Sequence, residues 1–229
     1  MNNSEKGGLR VVVFGATGTA GSGVLRAALS APEVASVVAV TRRPVGVVHP
    51  KLREVIWASY SDLQPIESEV VGIDACLYCL GISVARLSEP EYRTITFDYA
   101  LEAARAMKAA SPEHTFHFLS GSGTNVNGRL MWARVKGETE EALKRMGLAG
   151  ILCWRPAMII GDRVPGGLPW LYRVAARAAT VLRYIPALSI PSEMIGEAMI
   201  EAQLEGIREG TFTNREMRAI AERYRLRHS

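Results

Sequence analysis

The sequence is poor in cysteine and lacks a leader-like start. Three cysteines occur among 229 residues, and all lie inside apolar runs instead of a spaced disulfide framework: Cys76, Cys79 and Cys153. No basic segment followed by an apolar stretch and a small-residue cleavage site precedes the first glycine-rich turn. Both absences argue against an oxidising, secreted setting. We therefore predict free thiols and a cytoplasmic protein.

Long apolar runs and a dispersed charge excess are also missing. The longest uncharged apolar stretch, near Ala75 to Ala85, is far shorter than the roughly 20 residues that span a bilayer, so no membrane span is expected. The net charge of +4 is concentrated in residues 207–229, which contain six arginines and three glutamates. The rest of the chain is nearly neutral, and no patch of interleaved basic and aromatic residues accompanies the basic end. These features disfavour nucleic acid as a partner.

Metal-ligand patterns are absent as well. The pair Cys76-x-x-Cys79 falls within a predicted strand, where residues three apart point to opposite faces. No second pair completes a tetrahedral site. The four histidines share no ligand spacing: His49, His114, His117 and His228. We therefore predict no metal site.

From residue 9 onward, short β-branched runs alternate with longer amphipathic segments. Six runs are predicted as strands because they are continuously apolar, as in a sheet covered by helices on both faces: LRVVVFG, ASVVAVT, REVIWAS, IDACLYCLG, TFHFLS and GILCW. Helices are expected over 19–30, 90–110 and 130–146, after Pro191 and at the end of the chain, with GTFTN as a further strand. This rhythm predicts a doubly wound parallel sheet, the Rossmann fold.

The chain, 1–229, is predicted to form a single domain with a disordered start over 1–8. After Pro156 the pattern loosens, so residues 156–229 are expected to form a small substrate-side lobe beyond the carboxyl ends of the strands. The apolar segment 170–185 contains three arginines and fits a substrate lid, a subunit interface or a membrane-surface helix. The first two are favoured, because a basic amphipathic helix in a folded domain normally packs. A homodimer is one consequence of the second.

The strongest functional signal is a glycine-rich turn between the first strand and the first helix, in the sequence VVVFGATGTAGSGV. Glycine at position 15 allows a tight turn, glycine at 18 lets the backbone approach phosphates, and glycine at 21 lets the helix pack on the strand. The helix N-terminus attracts negative charge. The turn is therefore predicted to bind the pyrophosphate of a dinucleotide through Gly15, Ala16, Thr17, Gly18, Thr19, Ala20 and Gly21.

The residues after the second strand indicate which dinucleotide binds. An NAD site places an acidic residue about 20 positions beyond the glycine turn, whereas an NADP site tends to use arginine for the 2′-phosphate. Here that position holds Arg42 and Arg43 and no acid, so NADP is favoured over NAD. After the third strand, either Ser59 with Tyr60 or Asp62 is expected to contact the adenine, and the spacing does not choose between them.

A serine and a lysine follow the fifth predicted strand. Ser120 ends the strand TFHFLS, and the segment WARVK, from Trp132 to Lys136, begins twelve residues later. The sequence resembles that family, in which a serine is followed by Tyr-x-x-x-Lys on the next helix. The resemblance implies that Ser120 is the polar group at the reacting centre and that Lys136 binds the nicotinamide ribose. Trp132 stands where the family has the tyrosine that serves as acid and base.

Further segments resemble an atypical branch of that family, which includes Tat-interactive-protein-like and NAD-dependent epimerase/dehydratase-like proteins. YCLGIS is similar to its CLGTT segment, VKGETE to its VKGE segment and WRPAMIIGDR to its RPG-to-DR segment, with FDY at 97–99 and TNREM as further matches. The similarity covers nearly the whole chain. It implies that Cys79, Leu80 and Gly81 line the ribose and that the nicotinamide is flanked by Pro156, Ala157 and Met158.

Two functions of different classes are compatible with these motifs. The first is an NADP(H)-dependent oxidoreductase or epimerase acting on an unknown small carbonyl, alcohol or nucleotide sugar. Because tryptophan cannot accept and return a proton, the proton would come from Ser120, Ser122, Tyr99 or water. The second is a catalytically weak or inactive NADP(H) sensor or scaffold that regulates a protein partner. In the simplest interpretation the Trp132 indole packs as core or as a lid over the cofactor.

Overall fold

The computed structural model describes residues 7–83, 87–161 and 186–229. Strands in these ranges are β1 (Leu9–Phe14), β2 (Val34–Thr41), β3 (Leu52–Ile56), β4 (Ala75–Tyr78), β5 (Thr115–Leu119), β6 (Gly150–Arg155), β7 (Met158–Ile160), β8 (Ser189–Pro191) and β9 (Glu209–Thr213). Seven of them form one sheet in the order β3-β2-β1-β4-β5-β6-β9, and every neighbouring pair is parallel. β7 and β8 pair as a separate parallel ribbon.

Helices connect these strands and cover the sheet. They are α1 (Thr19–Ser30), α2 (Glu89–Arg93), α3 (Tyr99–Ala110), α4 (Met131–Arg145), α5 (Ser192–Leu204) and α6 (Asn214–Arg227), with a 3-10 helix over Gln64–Val70. None of the helices in the described ranges has both the length and the apolar character that a bilayer span requires.

The sheet separates two apolar cores, as the alternation of side chains along a strand requires. In β1, Val11 and Val13 face the core that is completed by α1, α5 and α6. Val12 and Phe14 face the opposite core, against α3, α4 and the 3-10 helix. Continuously apolar strands are stable here because helices remove both faces from water. The predicted doubly wound Rossmann sheet is confirmed.

The strand order reverses at β1, which pairs with β2 on one side and with β4 on the other. At the carboxyl end of this junction Phe14 is aligned with Val40 of β2 and Tyr78 of β4. In open parallel sheets, ligands bind in the crevice outside the carboxyl ends of the strands at such a switch point. The topology therefore places a binding crevice beyond the glycine-rich turn that follows β1.

The predicted helix over 90–110 is interrupted. A π-helical turn, Thr94–Asp98, joins α2 to α3, and the Tyr99 N–H donates to the carbonyl of Thr94, five residues earlier. A π turn inserts one residue into the helical repeat, and such turns often lie near functional sites. The apolar periodicity of the sequence does not reveal an insertion of one residue, so the prediction of a single α-helix missed it.

Much of the predicted substrate-side lobe belongs to the main body of the fold. β9 is the edge strand of the central sheet, and α5 and α6 line one of its two cores. Within the described ranges, the part of 156–229 that stands apart from the sheet is the β7–β8 ribbon. The predictions for residues 1–6 and for the apolar segment 170–185 lie outside the described residues.

The basic C-terminal helix is paired with the acidic helix before it. Side-chain ion pairs join α6 to α5 through Arg225 and Glu197 and through Arg227 and Glu201, and to the C-cap of α5 through Arg223 and Glu205. The arginine excess that dominates the net charge is therefore locally compensated. These three arginines bind carboxylates of the same chain, as expected of a helix that packs on its neighbour.

Candidate dinucleotide-binding site

The glycine turn after β1 contains two glycines that packing requires. Gly15 has φ +77°, a left-handed conformation, and a Cβ there would lie 2.7 Å from the amide nitrogen of Leu80. A Cβ on Gly21 would lie 2.1 Å from the Gly15 carbonyl oxygen. Any side chain at either position would overlap backbone atoms. These two glycines bring β1, α1 and the end of β4 together.

Gly18 differs from both. A Cβ on Gly18 would meet a single described neighbour within 4 Å, the Gly15 carbonyl oxygen at 3.3 Å, and the residue is exposed. Its amide donates to that same oxygen at 2.9 Å. Its backbone is extended, at φ −84° and ψ 172°, and it caps α1 without a side-chain hydrogen bond. The open side of the turn is thus a backbone surface at a helix N-terminus, which suits a pyrophosphate.

The other residues of the turn are either buried in the core or half-buried at the surface. Ala16 and Ala20 are buried in the core that contains α1. Thr17 and Thr19 are half-buried on either side of the exposed Gly18. The turn therefore matches the shape that dinucleotide binding needs, because small buried residues anchor it and its outer face is left to the backbone.

Arg42 and Arg43 follow β2, at the same edge of the sheet as the glycine turn. Both side chains are exposed, and the Thr41 hydroxyl donates to the Arg43 carbonyl at 2.8 Å, which holds the start of this loop. Two guanidinium groups at the end of the strand next to β1 are suitably placed for a 2′-phosphate.

Of the candidates for adenine contact, Tyr60 is committed to the core. It is buried, and its hydroxyl donates to the Val40 carbonyl at 3.2 Å. Burial raises the pKa of Tyr60 to about 12, and the nearby charge of Arg42 partly offsets the effect. Ser59 is exposed and its hydroxyl lies 2.9 Å from that of Ser61, while a carboxylate oxygen of Asp62 accepts from the Gln64 amide. The pair Ser59 and Tyr60 therefore offers one accessible side chain, that of Ser59.

The end of β4 lies directly against the glycine turn. The Cys79 amide donates to the Phe14 carbonyl at 3.0 Å, and a Cβ on Gly81 would meet no described atom within 4 Å. Cys76 and Cys79 belong to opposite cores of the sheet, as predicted for strand residues three apart. Burial raises the pKa of Cys79 to about 12, so it is a neutral thiol. Leu80 is half-buried and Gly81 is exposed, so these two are the accessible members of the segment.

The serine of the predicted reacting centre is present at the end of β5. The Ser120 amide donates to the Trp154 carbonyl at 2.7 Å, and its hydroxyl lies 2.9 Å from the hydroxyl of Thr124. Both hydroxyl groups belong to buried residues. Ser122 is exposed, and its amide donates to the Pro156 carbonyl at 2.7 Å. The partner Thr124 was missed by the sequence analysis.

Lys136 faces the same point from α4. Its ammonium donates to the carbonyl oxygens of Ser120 at 2.8 Å and Leu119 at 3.2 Å. Burial lowers the pKa of Lys136 to about 8, and the carboxylate of Glu140 opposes that shift. Ser120 and Lys136 are therefore brought together, as the spacing of the motif predicts.

Trp132 lies one helical turn before Lys136, against the loop that follows Ser120. A Cβ on Gly123, where φ is +89°, would lie 3.3 Å from Cη2 of the indole, and a Cβ on Gly121 would lie 3.8 Å from Cζ3. The indole is half-buried and packs on the loop that contains these two glycines.

Pro156, Ala157 and Met158 follow the end of β6, and the Ser122 amide joins the loop after Ser120 to Pro156. The Ala157 amide donates to the side-chain oxygen of Asn214 at 3.2 Å, and the Met158 amide donates to the Leu188 carbonyl at 3.1 Å. Asn214 is buried, and its amide group also donates to the carbonyl of Pro186 at 2.8 Å. Asn214 thus organises the segment, and its position in the TNREM match was the signal available for it.

Two other features are separate from this site. Within the described ranges, no three His, Cys, Asp or Glu side chains are grouped as metal ligands. A cavity of about 280 Å³ is lined by residues that include Leu9, Asp74 and Arg208. These lie at or before the amino ends of β1, β4 and β9, so the cavity opens at the opposite edge of the sheet.

Comparison with known proteins gives the chain its family. No protein-family model matches it. "Protein FMP52-1, mitochondrial" of Scheffersomyces stipitis is 30% identical over 154 residues, which cover 66% of this chain and 67% of the relative. "Protein fmp52-1, mitochondrial" of Aspergillus terreus is 30% identical over 167 residues, or 67% and 68% of the two chains. The chain belongs to the FMP52 family.

The names of these FMP52 relatives overturn one prediction. They are called mitochondrial, which points away from the cytoplasmic location inferred from the scarcity of cysteine. Free buried thiols indicate a reducing environment but do not distinguish one such compartment from another. The prediction of a cytoplasmic protein is therefore wrong.

Solved structures share the fold of this FMP52 member. A UDP-N-acetylglucosamine 4-epimerase from Methanobrevibacter ruminantium has a TM-score of 0.65 and 18% identity, covering 90% of this chain and 76% of that one. The Bordetella bronchiseptica enzyme WbmH, solved with NAD⁺, has a TM-score of 0.67 and 16% identity, with coverage of 90% and 74%. The fold implied by the resemblance to atypical short-chain dehydrogenases is confirmed.

Proposed function

We propose that the protein binds NADP(H) in the crevice beyond β1 and reduces a small carbonyl compound, or catalyses the reverse oxidation. The observation that carries the proposal is the exposed backbone at Gly18. It lies between two glycines that packing requires and at the N-terminus of α1. The NAD⁺ bound to the neighbour WbmH adds support for a nicotinamide dinucleotide.

The preference for NADP(H) rests on the exposed arginines after β2. Arg42 and Arg43 carry two positive charges where an NAD site would carry an acid. A guanidinium group pairs well with a phosphate, because its N–H groups match the phosphate oxygens in pairs. The 2′-phosphate of NADP(H) is the group that these side chains would bind.

The nicotinamide ring would supply or accept the hydride. This chain's residues would hold the ribose through Lys136 and orient the substrate oxygen through the Ser120 hydroxyl, which Thr124 steadies at 2.9 Å. Trp132 would cover the reacting space, but its N–H cannot exchange a proton at neutral pH. Among the proton donors considered, Tyr99 has its ring 5.9 Å from that of Tyr60, on the adenine side. Water relayed by Ser120 is the donor that the site favours.

A sensor or scaffold is the second candidate function, and Trp132 favours it. General acid–base catalysis typically contributes about 10²–10⁴-fold, so a site without the tyrosine would be slow. A protein of this kind would keep the cofactor site and use NADP(H) binding to bias a segment that a protein partner contacts. The cofactor site fits both candidates, and turnover distinguishes them.

The test is a titration with NADPH and NADH by calorimetry, followed by measurement of NADPH consumption with a panel of carbonyl compounds and nucleotide sugars. Tight NADPH binding with turnover supports the reductase. Tight binding without turnover on the whole panel supports the sensor. Failure to bind either dinucleotide contradicts both.

A further inference from the structure

One buried amide joins two segments that are distant in the chain. Asn214 begins α6 and is 7% exposed. Its side-chain oxygen accepts from the Ala157 amide at 3.2 Å. Its side-chain nitrogen donates to the carbonyls of Pro186 at 2.8 Å and Ser189 at 3.2 Å. The side chain therefore lies between the residues that precede β7 and those that lead into β8.

An amide suits the demands of this position. The side chain accepts from an N–H group and donates to carbonyl oxygens, whereas an aspartate of the same shape would accept but not donate, and a leucine would do neither. The other buried residues of α6 are Met217, Ile220 and Ala221, which are all apolar. Asn214 is thus the polar member of a buried helix face, and its polar atoms bind the two segments.

A second side chain of α6 strengthens the same link. Arg218, one turn after Asn214, donates to the Ser189 carbonyl from Nε at 3.2 Å and from Nη2 at 2.8 Å. The Met158 amide donates to the Leu188 carbonyl at 3.1 Å, which joins the two segments to each other. The first turns of α6 therefore fix both strands of the β7–β8 ribbon near their amino ends.

The carboxyl end of the ribbon reaches the glycine turn. β7 ends at Ile160, and a Cβ on the next residue, Gly161, would lie 2.7 Å from the Thr19 carbonyl oxygen. Thr19 is the first residue of α1 and directly follows the exposed Gly18. The end of β7 therefore packs on the start of α1, beside the backbone proposed to bind the pyrophosphate.

The amino end of the ribbon reaches the loop that follows Ser120. The Pro156 carbonyl accepts from the Ser122 amide at 2.7 Å, and Lys136 donates to the Ser120 carbonyl at 2.8 Å. The chain from Pro156 to the end of β7 therefore extends from the proposed reacting centre to the glycine turn. A dinucleotide with its pyrophosphate at Gly18 and its hydride-transferring ring near Ser120 would run alongside it.

We propose that Asn214 is a positioning residue for the nicotinamide. By accepting from Ala157, it holds the residues before β7 in place against that ring, and so helps to set the position of the ring relative to Ser120. The inference rests on the proposed function, because it requires a dinucleotide in the crevice. The link between Asn214 and the ribbon does not, and it can be measured without cofactor.

The experiment compares two ligands that differ at the nicotinamide. They are NADPH and 2′-phospho-ADP-ribose, which has the same adenosine, 2′-phosphate, pyrophosphate and second ribose but no nicotinamide ring. Calorimetry gives the ratio of the two affinities for each protein. A general loosening of the site lowers both affinities, so a change in the ratio reports on the nicotinamide.

Asn214→Asp is the first variant. It keeps the shape of the side chain and the acceptor for Ala157 but loses the donor to Pro186 and Ser189. A carboxylate at a helix N-terminus is itself favourable, so α6 should not be weakened. NADPH affinity should fall roughly tenfold or more, because carbonyl groups of the ribbon lose their partner. The affinity for 2′-phospho-ADP-ribose should change little.

Thr213→Ala is the matched control. The Thr213 hydroxyl caps α6, because it accepts from the Glu216 amide and donates to the Glu216 carboxylate. Its removal weakens the start of the same helix and leaves the bonds of Asn214 to the ribbon in place. The affinity ratio should therefore equal that of the wild type. Equal changes of the ratio in Thr213→Ala and Asn214→Asp overturn the proposal.

Asn214→Ser covers the case in which Asn214→Asp does not fold, since it introduces no charge. Its shorter side chain should change the affinity ratio in the same direction. Hydrogen exchange followed by NMR, without cofactor, checks the link itself. The amides of Ala157 and Met158 should exchange faster in Asn214→Ser than in the wild type, while the Leu152 amide of β6 should not change. Unchanged exchange at Ala157 overturns the positioning role.

Failure of the inference and failure of the proposed function give different results. A wild type that binds neither ligand contradicts both. A wild type that binds the two ligands with equal affinity contradicts the inference alone, because the nicotinamide then makes no favourable contact. An affinity ratio that stays at the wild-type value in the folded Asn214 variants also contradicts the inference alone.

Discussion

Gly21 packs against the carbonyl oxygen of Gly15 so closely that a Cβ on Gly21 would stand 2.1 Å from that oxygen. Gly18, three residues away, is exposed, and among the described residues a Cβ there would have one close neighbour, at 3.3 Å. The same motif therefore contains two glycines that backbone packing requires and a third, Gly18, whose side-chain position is largely open. This difference separates structural from functional effects of substitution.

Gly18→Val should abolish NADPH binding without unfolding the domain. The backbone at Gly18 is extended, but valine is a poor N-cap and its Cβ would lie 3.3 Å from the Gly15 carbonyl oxygen, so the free energy of unfolding should fall by about 1 kcal/mol. The valine side chain would occupy the space of the pyrophosphate, so NADPH binding should no longer be detectable. Calorimetry measures the affinity, and denaturant unfolding measures the stability.

Gly21→Ala is the matched control for that experiment. It should lower the free energy of unfolding by at least about 2 kcal/mol, because the added methyl group overlaps backbone atoms. Unimpaired NADPH binding by Gly18→Val would show that the dinucleotide lies elsewhere.

The preference for NADPH over NADH should depend on the two arginines after β2. Replacing Arg42 and Arg43 together by alanine should reduce the preference roughly tenfold or more, since hydrogen bonds between charged groups are worth about 1.5–3 kcal/mol. NADH affinity should change little. Equal affinity of the wild type for the two dinucleotides would contradict the assignment.

Trp132→Tyr tests whether the site descends from a tyrosine-dependent reductase. The new hydroxyl would lie one helical turn from Lys136, which lowers a neighbouring phenol's pKa by its charge. Turnover on a carbonyl panel should rise by about an order of magnitude or more. NADPH consumption is the measurement.

Trp132→Phe is the control for the cavity that a smaller ring leaves beside Gly121 and Gly123. It should lose packing as Trp132→Tyr does but gain no turnover. If the wild type turns over rapidly and Trp132→Tyr is slower, Trp132 belongs to a working site of another design.

His117 should make the protein sensitive to acid. It is buried in β5 and stacks on Trp154 at 5.8 Å, and burial lowers the pKa of His117 to about 3. The unfolded chain, with a pKa of about 6.5, binds the proton first, so the stability contributed by neutral His117 is complete above about pH 6.5 and falls as pH decreases towards 3. Between pH 7 and 4.5 this group should cost about 2 kcal/mol.

His117→Phe removes that titration and keeps an aromatic ring against Trp154. Denaturant unfolding at pH 7 and pH 4.5 should show a smaller loss of stability in the variant than in the wild type. An equal loss in both proteins would mean that other groups, such as buried His114, whose pKa burial also lowers, govern acid unfolding.

The order and type of most elements could be predicted from the sequence, because each depends on a local pattern. The apolar runs became the strands of the central sheet, and the three glycines lie between β1 and α1 as the motif requires. Ser120 and Lys136 meet because their spacing places one at the end of a strand and the other on the next helix. Such local patterns do not identify the cellular compartment, and the prediction of a cytoplasmic protein was wrong.

Only the tertiary structure determines which elements distant in the chain contact one another. In the folded chain the Tyr60 hydroxyl donates to the Val40 carbonyl, and the Trp132 indole packs on Gly121 and Gly123. The Arg155 guanidinium group donates to the Glu140 carboxylate. These contacts depend on the rotation of each helix about its axis and on the register of each strand. Both are set by packing summed over the whole core, so no local stretch of sequence contains them.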